Sequence, residues 1–332
     1  MSITKKLIVI LGPTASGKSD LAVQIAKRFN GEIISADSRQ VYKGMDIGTG
    51  KITPDTKNSS NFSTGQVKKK YIFTHKGIQH YCLDVVSPKT RFSVAQYRKL
   101  ALKEIEKIQK NGKIPILCGG TGFYIQAVVD GIEIPEVKPD WKLRKKLEKK
   151  SVDDLYKILK KLDPKRAENI DRKNSRRLIR AIEIVIKTGK PIPPLQINPL
   201  PLLRASLPAD RQGFGEQAFP VLMIGIKKPQ NEINKLIKKR LLKRLKKGMI
   251  AEIKNLHKNG ISWKKLEEFG LEYRWIAKFL QNVISKQEMI DSLQKDSEHY
   301  SKRQMTWFKK DKRIQWIKNY KQAEKLVEKF VK

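Results

Sequence analysis

Over the N-terminal part of the chain, short apolar runs alternate with stretches of helical periodicity. The apolar runs predict β-strands over 5–11, 31–37, 80–86 and 114–118. Apolar residues spaced three and four apart predict helices over 20–29 and 93–110, and a third from the glycines at 119–122 to residue 129. Because strand and helix alternate, the pattern indicates an α/β fold in which helices flank a parallel sheet.

The pattern changes after Pro135. Residues 139–188 show only helical periodicity, which predicts a small all-helical domain over 136–195, inserted into a core domain formed by 1–135 and 219–332. Residues 196–218 are rich in Pro, Leu and Gly without periodicity, and we expect an exposed insertion there. The core domain then continues with a predicted strand at 221–226, a long basic helix at 231–258, several shorter helices and a last strand at 313–317. Polar or glycine-rich segments at 41–51 and 54–76 predict loops.

Composition adds a strong positive charge to this picture. The 332 residues include 71 Lys and Arg but only 33 Asp and Glu, which gives a formal net charge of +38. Such a field favours a polyanionic partner, most simply nucleic acid, although part of the excess belongs to lysines on solvated helix faces. Cys82 and Cys118 are too few for a disulfide framework, and we expect both to be buried. No apolar run is long enough to span a membrane and no signal-peptide pattern opens the chain, so the expected location is the cytoplasm.

A phosphate-binding motif comes directly after the first predicted strand. Its residues are Gly12, Pro13, Thr14, Ala15, Ser16, Gly17, Lys18 and Ser19, which match G-x-x-x-x-G-K-[ST] at every fixed position. The glycines let backbone N–H groups turn toward phosphate oxygens, and the next helix presents its positive N-terminus. Lys18 adds a point charge, and the Ser19 hydroxyl can ligate Mg²⁺. The motif predicts a binding site for a pyrophosphate or a nucleotide polyphosphate, and it does not distinguish between the two.

Two further segments end strands at the same predicted sheet edge, where ligands bind in such folds. Asp37 can accept a proton or bind the water shell of a metal, and it can equally cap a turn. Thr121 offers a hydroxyl within the glycines of 119–122, which a tight strand-to-helix turn also requires.

Two basic segments are candidates for RNA contact. Arg176 and Arg180 lie four residues apart and so share one helix face. Residues 302–310 mix lysine and arginine with Trp307 and Phe308, so that cations can meet phosphates while a ring stacks on an unpaired base. A solvated helix face with core aromatics would give the same pattern.

Together these residues resemble the tRNA dimethylallyltransferase family, also called tRNA isopentenyltransferases. The matching segments keep the family's order along nearly the whole chain: 12–19, 35–49, 119–124, 176–180 and 302–307. The second, from Ser35 to Thr49, is the most specific, because a generic nucleotide-binding protein has no reason to carry it. The resemblance implies a P-loop NTPase-like parallel sheet flanked by helices, with the small helical domain inserted.

The resemblance also implies a reaction, in which a dimethylallyl group passes from dimethylallyl diphosphate to N6 of the adenosine 3′ of the tRNA anticodon. The phosphate-binding loop, Arg240 and Mg²⁺ would hold the diphosphate, and Lys18 would stabilise its leaving charge. Asp37 would be the general base on the attacking amine, with Thr121 assisting near the adenine or the diphosphate. The family matches for tRNA contact are Asp37, Ser38, Arg39, Gln40, Thr121, Arg144, Arg176, Arg177, Arg180, Gly270, Tyr273, Arg274, Lys302, Arg303, Gln304, Trp307 and Lys309.

The chain departs from the family pattern in three places. Residues 57–76 and 199–218 look inserted, and Leu236 stands where the family often has arginine. The alternatives are an adenylate (cytokinin-type) isopentenyltransferase, a P-loop small-molecule kinase and a non-catalytic RNA-binding protein. The basic helical domain counts against the first alternative, and the 37–49 segment counts against the second. We expect a monomer that does not enter membranes.

Overall fold

The computed structural model describes residues 6–55, 73–132, 137–193 and 220–332. Its chain divides into two compact units, one formed by Met1–Val129 with Leu200–Lys332 and the other by Asp130–Pro199. The predicted insertion at 196–218 and most of the predicted loop at 54–76 lie outside the described residues. Among the helices of the described ranges, none combines the length and apolar character needed to cross a membrane.

The first unit is built on a mostly parallel sheet, which confirms the predicted α/β fold. Its strands are β1 (Leu7–Leu11), β2 (Gly31–Ala36), β3 (Phe73–His75), β4 (Ile78–Tyr81), β5 (Ile114–Gly119), β6 (Val221–Ile226) and β7 (Gln315–Ile317). They lie side by side in the order β3-β4-β2-β5-β1-β6-β7. All five residues of β1 are fully buried, as expected for a central strand with helices on both faces.

The sheet edge at β3 and β4 differs from the prediction. Residues 73–75, predicted as loop, form β3, which pairs antiparallel with β4 across a turn where Lys76 and Gly77 both have positive φ. The predicted strand at 80–86 instead covers Ile78–Tyr81, because Cys82 takes a left-handed φ of 60° that ends the extended backbone. Only Phe73 is apolar among the residues of β3, so this short edge strand carries no apolar run.

Helices of the first unit cover both faces of the sheet. They are α1 (Lys18–Arg28), α2 (Val94–Lys110), α3 (Gly122–Val129), α8 (Gln230–Lys246), α9 (Met249–Lys258), α10 (Trp263–Phe269), α11 (Leu271–Leu280), α12 (Lys286–Phe308) and α13 (Tyr320–Val331). Ser93 caps α2 through a reciprocal capping box with Gln96, at the start that the sequence predicts. The predicted continuous helix at 231–258 is wrong, because Gly248 has a φ of 94° and separates α8 from α9.

The second unit is helical in its described part, and it consists of α4 (Trp141–Leu147), α5 (Val152–Leu162), α6 (Pro164–Asn169) and α7 (Ser175–Thr188). Leu155 and Leu159 of α5 pack with Leu178 and Ile182 of α7 in a core of its own. The spacing of these residues by three and four positions is the periodicity that predicts the helices.

Parallel pairing aligns the ends of the three strands that carry the candidate motifs. Leu11 of β1 pairs with Gly119 of β5, which in turn pairs with Ala36 of β2. The segments that come after these residues therefore leave the sheet side by side. They are the phosphate-binding loop, the turn at Asp37 and the turn at Thr121.

The buried histidine of β4 makes stability sensitive to acid. Burial lowers the pKa of His80 from 6.5 to about 4, and the residue is only 7% exposed. Between these pH values the unfolded chain binds a proton that the folded protein does not, so stability falls as the pH is lowered. We expect His80 to lower the unfolding free energy by up to about 3 kcal/mol as the pH falls from 6.5 to 4.

Urea unfolding at several pH values tests this expectation. His80→Phe keeps an apolar ring against Phe73 and should flatten the acid dependence, whereas substitution of the exposed His299 by Gln should leave it unchanged. An H80F protein with the parent's acid slope would contradict the assignment.

Candidate active site

The phosphate-binding loop is shaped by its own glycines and by one residue from α12. Gly17 has a φ of 92° and stands at the N-terminus of α1, so that the loop turns directly into the helix. The backbone N–H of Thr14 donates to Oε1 of Gln304 at 2.8 Å. Ser16 is buried, and its Oγ has no hydrogen-bond partner within the described residues. A buried hydroxyl of this kind is an open donor inside a loop whose pattern predicts an anion.

Lys18 is held close to the loop that precedes it. Its Nζ donates to the carbonyl of Pro13 at 3.2 Å. Burial lowers the pKa of the Lys18 ammonium, and the nearby Arg240 guanidinium lowers it further. Two cations kept close together in a partly desolvated place are costly without an anion, so this end of the site favours a negatively charged ligand.

Asp37 comes directly after β2 and caps a turn with one of its two oxygens. Oδ1 accepts from the backbone N–H of Arg39 at 2.8 Å and of Gln40 at 3.4 Å. Oδ2 accepts no hydrogen bond from the described residues, and Asp37 lines a cavity. The turn-capping role and the proton-accepting role weighed from the sequence are therefore compatible, because each can use a different oxygen.

Thr121 is joined to the turn at Asp37. Its backbone N–H donates to the carbonyl of Ala36 at 3.1 Å, and its Oγ1 accepts from the N–H of Ser38 at 3.0 Å. Tyr300 of α12 lies close by, and burial together with the Asp37 carboxylate raises the pKa of its phenol to about 12. The phenol therefore keeps its proton at neutral pH and remains a hydrogen-bond donor.

Gln304 joins the loops that come after β1 and β5. Beside its bond from Thr14, it donates from Nε2 to the carbonyl of Gly120 at 2.7 Å. The sequence predicts Gln304 as a tRNA contact, and the structure occupies both ends of its buried amide within the protein.

Two arginines of α8 reach the same region. Arg240 donates to Oγ1 of Thr14 at 3.4 Å and to the carbonyl of Gly50 at 3.3 Å. Arg244 donates to the carbonyl of Gly48 at 2.7 Å and pairs with Glu272 at 2.6 Å. Burial lowers the pKa of Arg240, and the charge of Arg244 lowers it further, yet an arginine stays protonated.

Some of these groups line a cavity of about 160 Å³ in the first unit. Thr14 and Ala15 of the phosphate-binding loop line the cavity, whereas Lys18, Ser19 and Thr121 are not among its lining residues. The cationic side consists of Arg39, Arg240 and Arg244, the acidic side of Asp37 and Glu272, and the apolar side of Ile237, Phe269 and Leu271. The cavity can thus receive a ligand with an anionic end and a small apolar end, close to a carboxylate.

Several wall residues were not found from the sequence. Arg244 lies one helical turn after the predicted Arg240, and the shared face of α8 is the signal that could have revealed it. Tyr300 lies four residues before Gln304 on α12, and the same spacing could have revealed it. Glu272 gives no signal for a place in this wall, because only the folded chain brings it to Arg244.

The predicted tRNA contacts in the first unit fall into three groups. An exposed group lies at the C-terminal end of α12 and just beyond it: Lys302, Arg303, Trp307 and Lys309. A second group is engaged inside the protein. Arg39 donates from Nε to the carbonyl of Phe269 at 2.8 Å, and the buried Tyr273 donates its hydroxyl to Glu252 at 3.0 Å.

The third group consists of residues in turns and one residue of α11. Ser38 and Gln40 form the turn capped by Asp37, and Gly270 separates α10 from α11 with a φ of 76°. Arg274 lies on α11, with its Nε 3.5 Å from the carbonyl of Glu267.

In the second unit, the predicted arginines also divide by environment. Arg144 and Arg180 both pair with the buried carboxylate of Glu183, whose pKa burial would raise but these two guanidinium groups hold below its usual value. Arg176 and Arg177 are exposed on α7. Of these four arginines, Arg176 and Arg177 are therefore the two most open to solvent.

The predicted metal ligand is Ser19, which is exposed in the first turn of α1. A hydroxyl oxygen at this place suits Mg²⁺, which takes few protein ligands and completes its shell with phosphate oxygens and water. The described residues contain no cluster of three or more His, Cys, Asp or Glu able to hold a metal by themselves. The residues present thus fit a metal that arrives with an anionic ligand.

Comparison with known proteins agrees with this geometry. The family model described as IPP transferase matches residues 40–311, and the model described as isopentenyl transferase matches residues 5–62. A tRNA dimethylallyltransferase of Acetivibrio thermocellus is 40% identical over 315 residues, which cover 94% of this chain and 91% of the relative. Its counterpart from Carboxydothermus hydrogenoformans is 36% identical over 334 residues, covering 99% and 97% of the two chains.

Solved structures give the same result. The full-length tRNA isopentenylpyrophosphate transferase of Bacillus halodurans is 32% identical with a TM-score of 0.64, and the match covers 98% of this chain and 95% of that one. A eukaryotic dimethylallyltransferase crystallised acting on tRNA is 25% identical with a TM-score of 0.70, covering 98% and 77%. The resemblance drawn from the motifs is confirmed: the chain belongs to the family of tRNA dimethylallyltransferases, which are prenyl-transferring enzymes.

Proposed function

We propose that this protein transfers a dimethylallyl group from dimethylallyl diphosphate to N6 of the adenosine 3′ of the anticodon in tRNA. The observation that carries the proposal is the cavity, whose wall includes Asp37, three arginines and an apolar side. A C5 prenyl diphosphate has the matching parts, namely a small apolar chain, an anionic leaving group and an allylic carbon between them.

The diphosphate of the donor becomes more negative during the reaction, so positive charge beside it favours the transition state. As the allylic C–O bond breaks, its electron pair passes to the diphosphate, and donors placed beforehand around that group stabilise the transition state. Arg240, Lys18 and the loop N–H groups are the candidates in this chain. Mg²⁺ bound with the diphosphate, and held by Ser19, would neutralise further negative charge.

Asp37 is the proposed general base. The N6 amine attacks the allylic carbon, the new C–N bond forms, and the amine's proton passes to Oδ2 of Asp37. Hydrogen bonds from Arg39 and Gln40 fix Oδ1, so the second oxygen keeps its direction while it accepts the proton. The adenine must leave its stack to reach this carboxylate, which costs less from an anticodon loop than from a duplex.

The anticodon loop and stem are the proposed partners of the exposed basic residues. The C-terminal end of α12 offers Lys302, Arg303, Lys309 and the exposed ring of Trp307, and α7 offers Arg176 and Arg177. Cations of this kind position a phosphate backbone, and an exposed ring can stack on an unpaired base. A monomeric, cytoplasmic enzyme stays our expectation.

The acceptor distinguishes this function from its alternatives. With labelled dimethylallyl diphosphate, we expect the protein to prenylate unmodified tRNA in preference to AMP, because AMP cannot use the exposed basic surfaces. Nucleoside analysis by mass spectrometry identifies the modified base. Preference for AMP would indicate the adenylate-type enzyme, and ATP-dependent phosphorylation without prenyl transfer would indicate a kinase.

Replacement of the proposed base should remove turnover while sparing RNA binding. Asp37→Asn keeps an oxygen for the turn but cannot accept the proton, so we expect transfer to fall about 10²–10⁴-fold. The tRNA dissociation constant should stay within about threefold, since the exposed cations are untouched. Asp291→Asn, at an exposed site of α12, serves as the control. Equal losses of turnover and affinity would remove the support for a general base.

The two arginine environments in the second unit should respond differently to substitution. Arg176→Gln with Arg177→Gln should weaken tRNA binding and reduce the slope of log affinity against log salt by about 1.5, because each phosphate contact contributes about 0.7–0.9. Arg144→Gln should instead lower thermal stability, since it weakens the pairing of a buried carboxylate. An unchanged salt slope in the R176Q/R177Q protein would exclude these residues from phosphate contact.

A further inference from the structure

Glu252 of α9 gathers an unusual number of hydrogen bonds from one loop. Its Oε2 accepts from the backbone N–H groups of Asp46 at 3.0 Å and Ile47 at 2.6 Å, and its Oε1 accepts from that of Gly48 at 3.0 Å. The hydroxyl of Tyr273 adds a fourth bond, to Oε1, at 3.0 Å. One carboxylate thus binds three successive N–H groups, an arrangement that orients a peptide segment with charge-assisted bonds.

The segment that Glu252 holds also carries the acceptors for the two arginines of the candidate site. The carbonyl of Gly48 accepts from Arg244, and the carbonyl of Gly50 accepts from Arg240. The N–H groups of this loop therefore bind one carboxylate while its carbonyls bind two guanidinium groups. A shift of the loop would move both arginines.

The fit leaves the loop little freedom. Gly50 has a φ of 62°, and a Cβ at this position would collide with the guanidinium of Arg240. A Cβ at Gly48 would come within 2.6 Å of the Tyr273 hydroxyl oxygen. At the far end, the buried Nζ of Lys51 binds the carboxylates of Asp46 and Asp84. Glu252 is thus the anchor of the end from which the Gly48 carbonyl projects.

We propose that Glu252 is a positioning residue for the prenyl donor, which sets Arg240 and Arg244 at the geometry that the diphosphate requires. The proposal rests on the proposed function for the identity of that diphosphate. Glu252 itself does not line the cavity, so its influence passes through the loop and the arginines. Its loss should weaken recognition of the donor and spare recognition of the RNA.

Glu252→Gln is the principal variant, because its amide has the same shape but turns an acceptor into a donor facing a backbone N–H. We expect the KM for dimethylallyl diphosphate and the dissociation constant of inorganic diphosphate each to rise about tenfold, as weakened charge-assisted bonds predict. The KM for tRNA should change less than about twofold and kcat less than about threefold, since neither the base nor the RNA surface is altered. Arg240→Gln is the positive reference and should raise the same two constants at least as much.

Glu32→Gln is the matched control. Glu32 is also a buried carboxylate, and it accepts from the Tyr81 hydroxyl and the Lys113 ammonium at 2.6 Å each, in β2 and away from the cavity. It should lose thermal stability without any change in the constants for the donor. Glu252→Asp keeps the charge but is too short to reach all three N–H groups, so a loss smaller than that of E252Q is expected. It also serves as the second variant, measured in place of E252Q if that protein does not fold.

Two results would overturn the proposal. One is a folded E252Q protein with parental constants for both dimethylallyl diphosphate and inorganic diphosphate. The other is an equal loss of donor and tRNA affinity, which would indicate general structural damage. Inorganic diphosphate binding is measured without turnover. If the parent protein failed to transfer the prenyl group, the proposed function would be refuted. The diphosphate affinities of the parent and E252Q proteins would still test the role of Glu252.

Discussion

Parallel pairing of β1 with β5 and of β5 with β2 is the constraint on which the candidate site depends. Since side-by-side parallel strands end at the same edge, Leu11, Gly119 and Ala36 release three loops at one place. Gln304 then ties the loop after β1 to the loop after β5, and Thr121 ties the loop after β5 to the turn after β2. The site is thus supported by backbone contacts from three strands rather than by any one loop.

Positive charge has separate uses in this protein. Arg240 and Arg244 bind backbone carbonyls of one loop beside the cavity, where burial makes their charge effective at short range. Arg144 and Arg180 form ion pairs with the buried Glu183 and stabilise the helical unit. The exposed cations on α7 and at the end of α12 are the ones that we propose attract the tRNA. A net charge alone distinguishes none of these uses, because it counts every cation equally.

Local patterns predicted most of the fold and the first part of the site. The apolar runs identify β1, β5 and β6 to within a residue or two at their ends, and the phosphate-binding motif and Asp37 stand directly after strands. The edge strand β3 was missed because three residues carry too little periodicity. The break between α8 and α9 was missed because an isolated glycine inside a helical pattern is often tolerated. Glu252 and the pairing of Glu272 with Arg244 could not be found, since the partners lie far away in sequence.

The break at Gly248 has a consequence for how this protein can vary in length. It separates the two helices, and both reach the loop at 46–50, α8 with its arginines and α9 with Glu252. Each residue added to a helix rotates the side chains beyond it by about 100°. An insertion inside α8 or α9 between Arg240 and Glu252 would therefore point one set of side chains away from the loop.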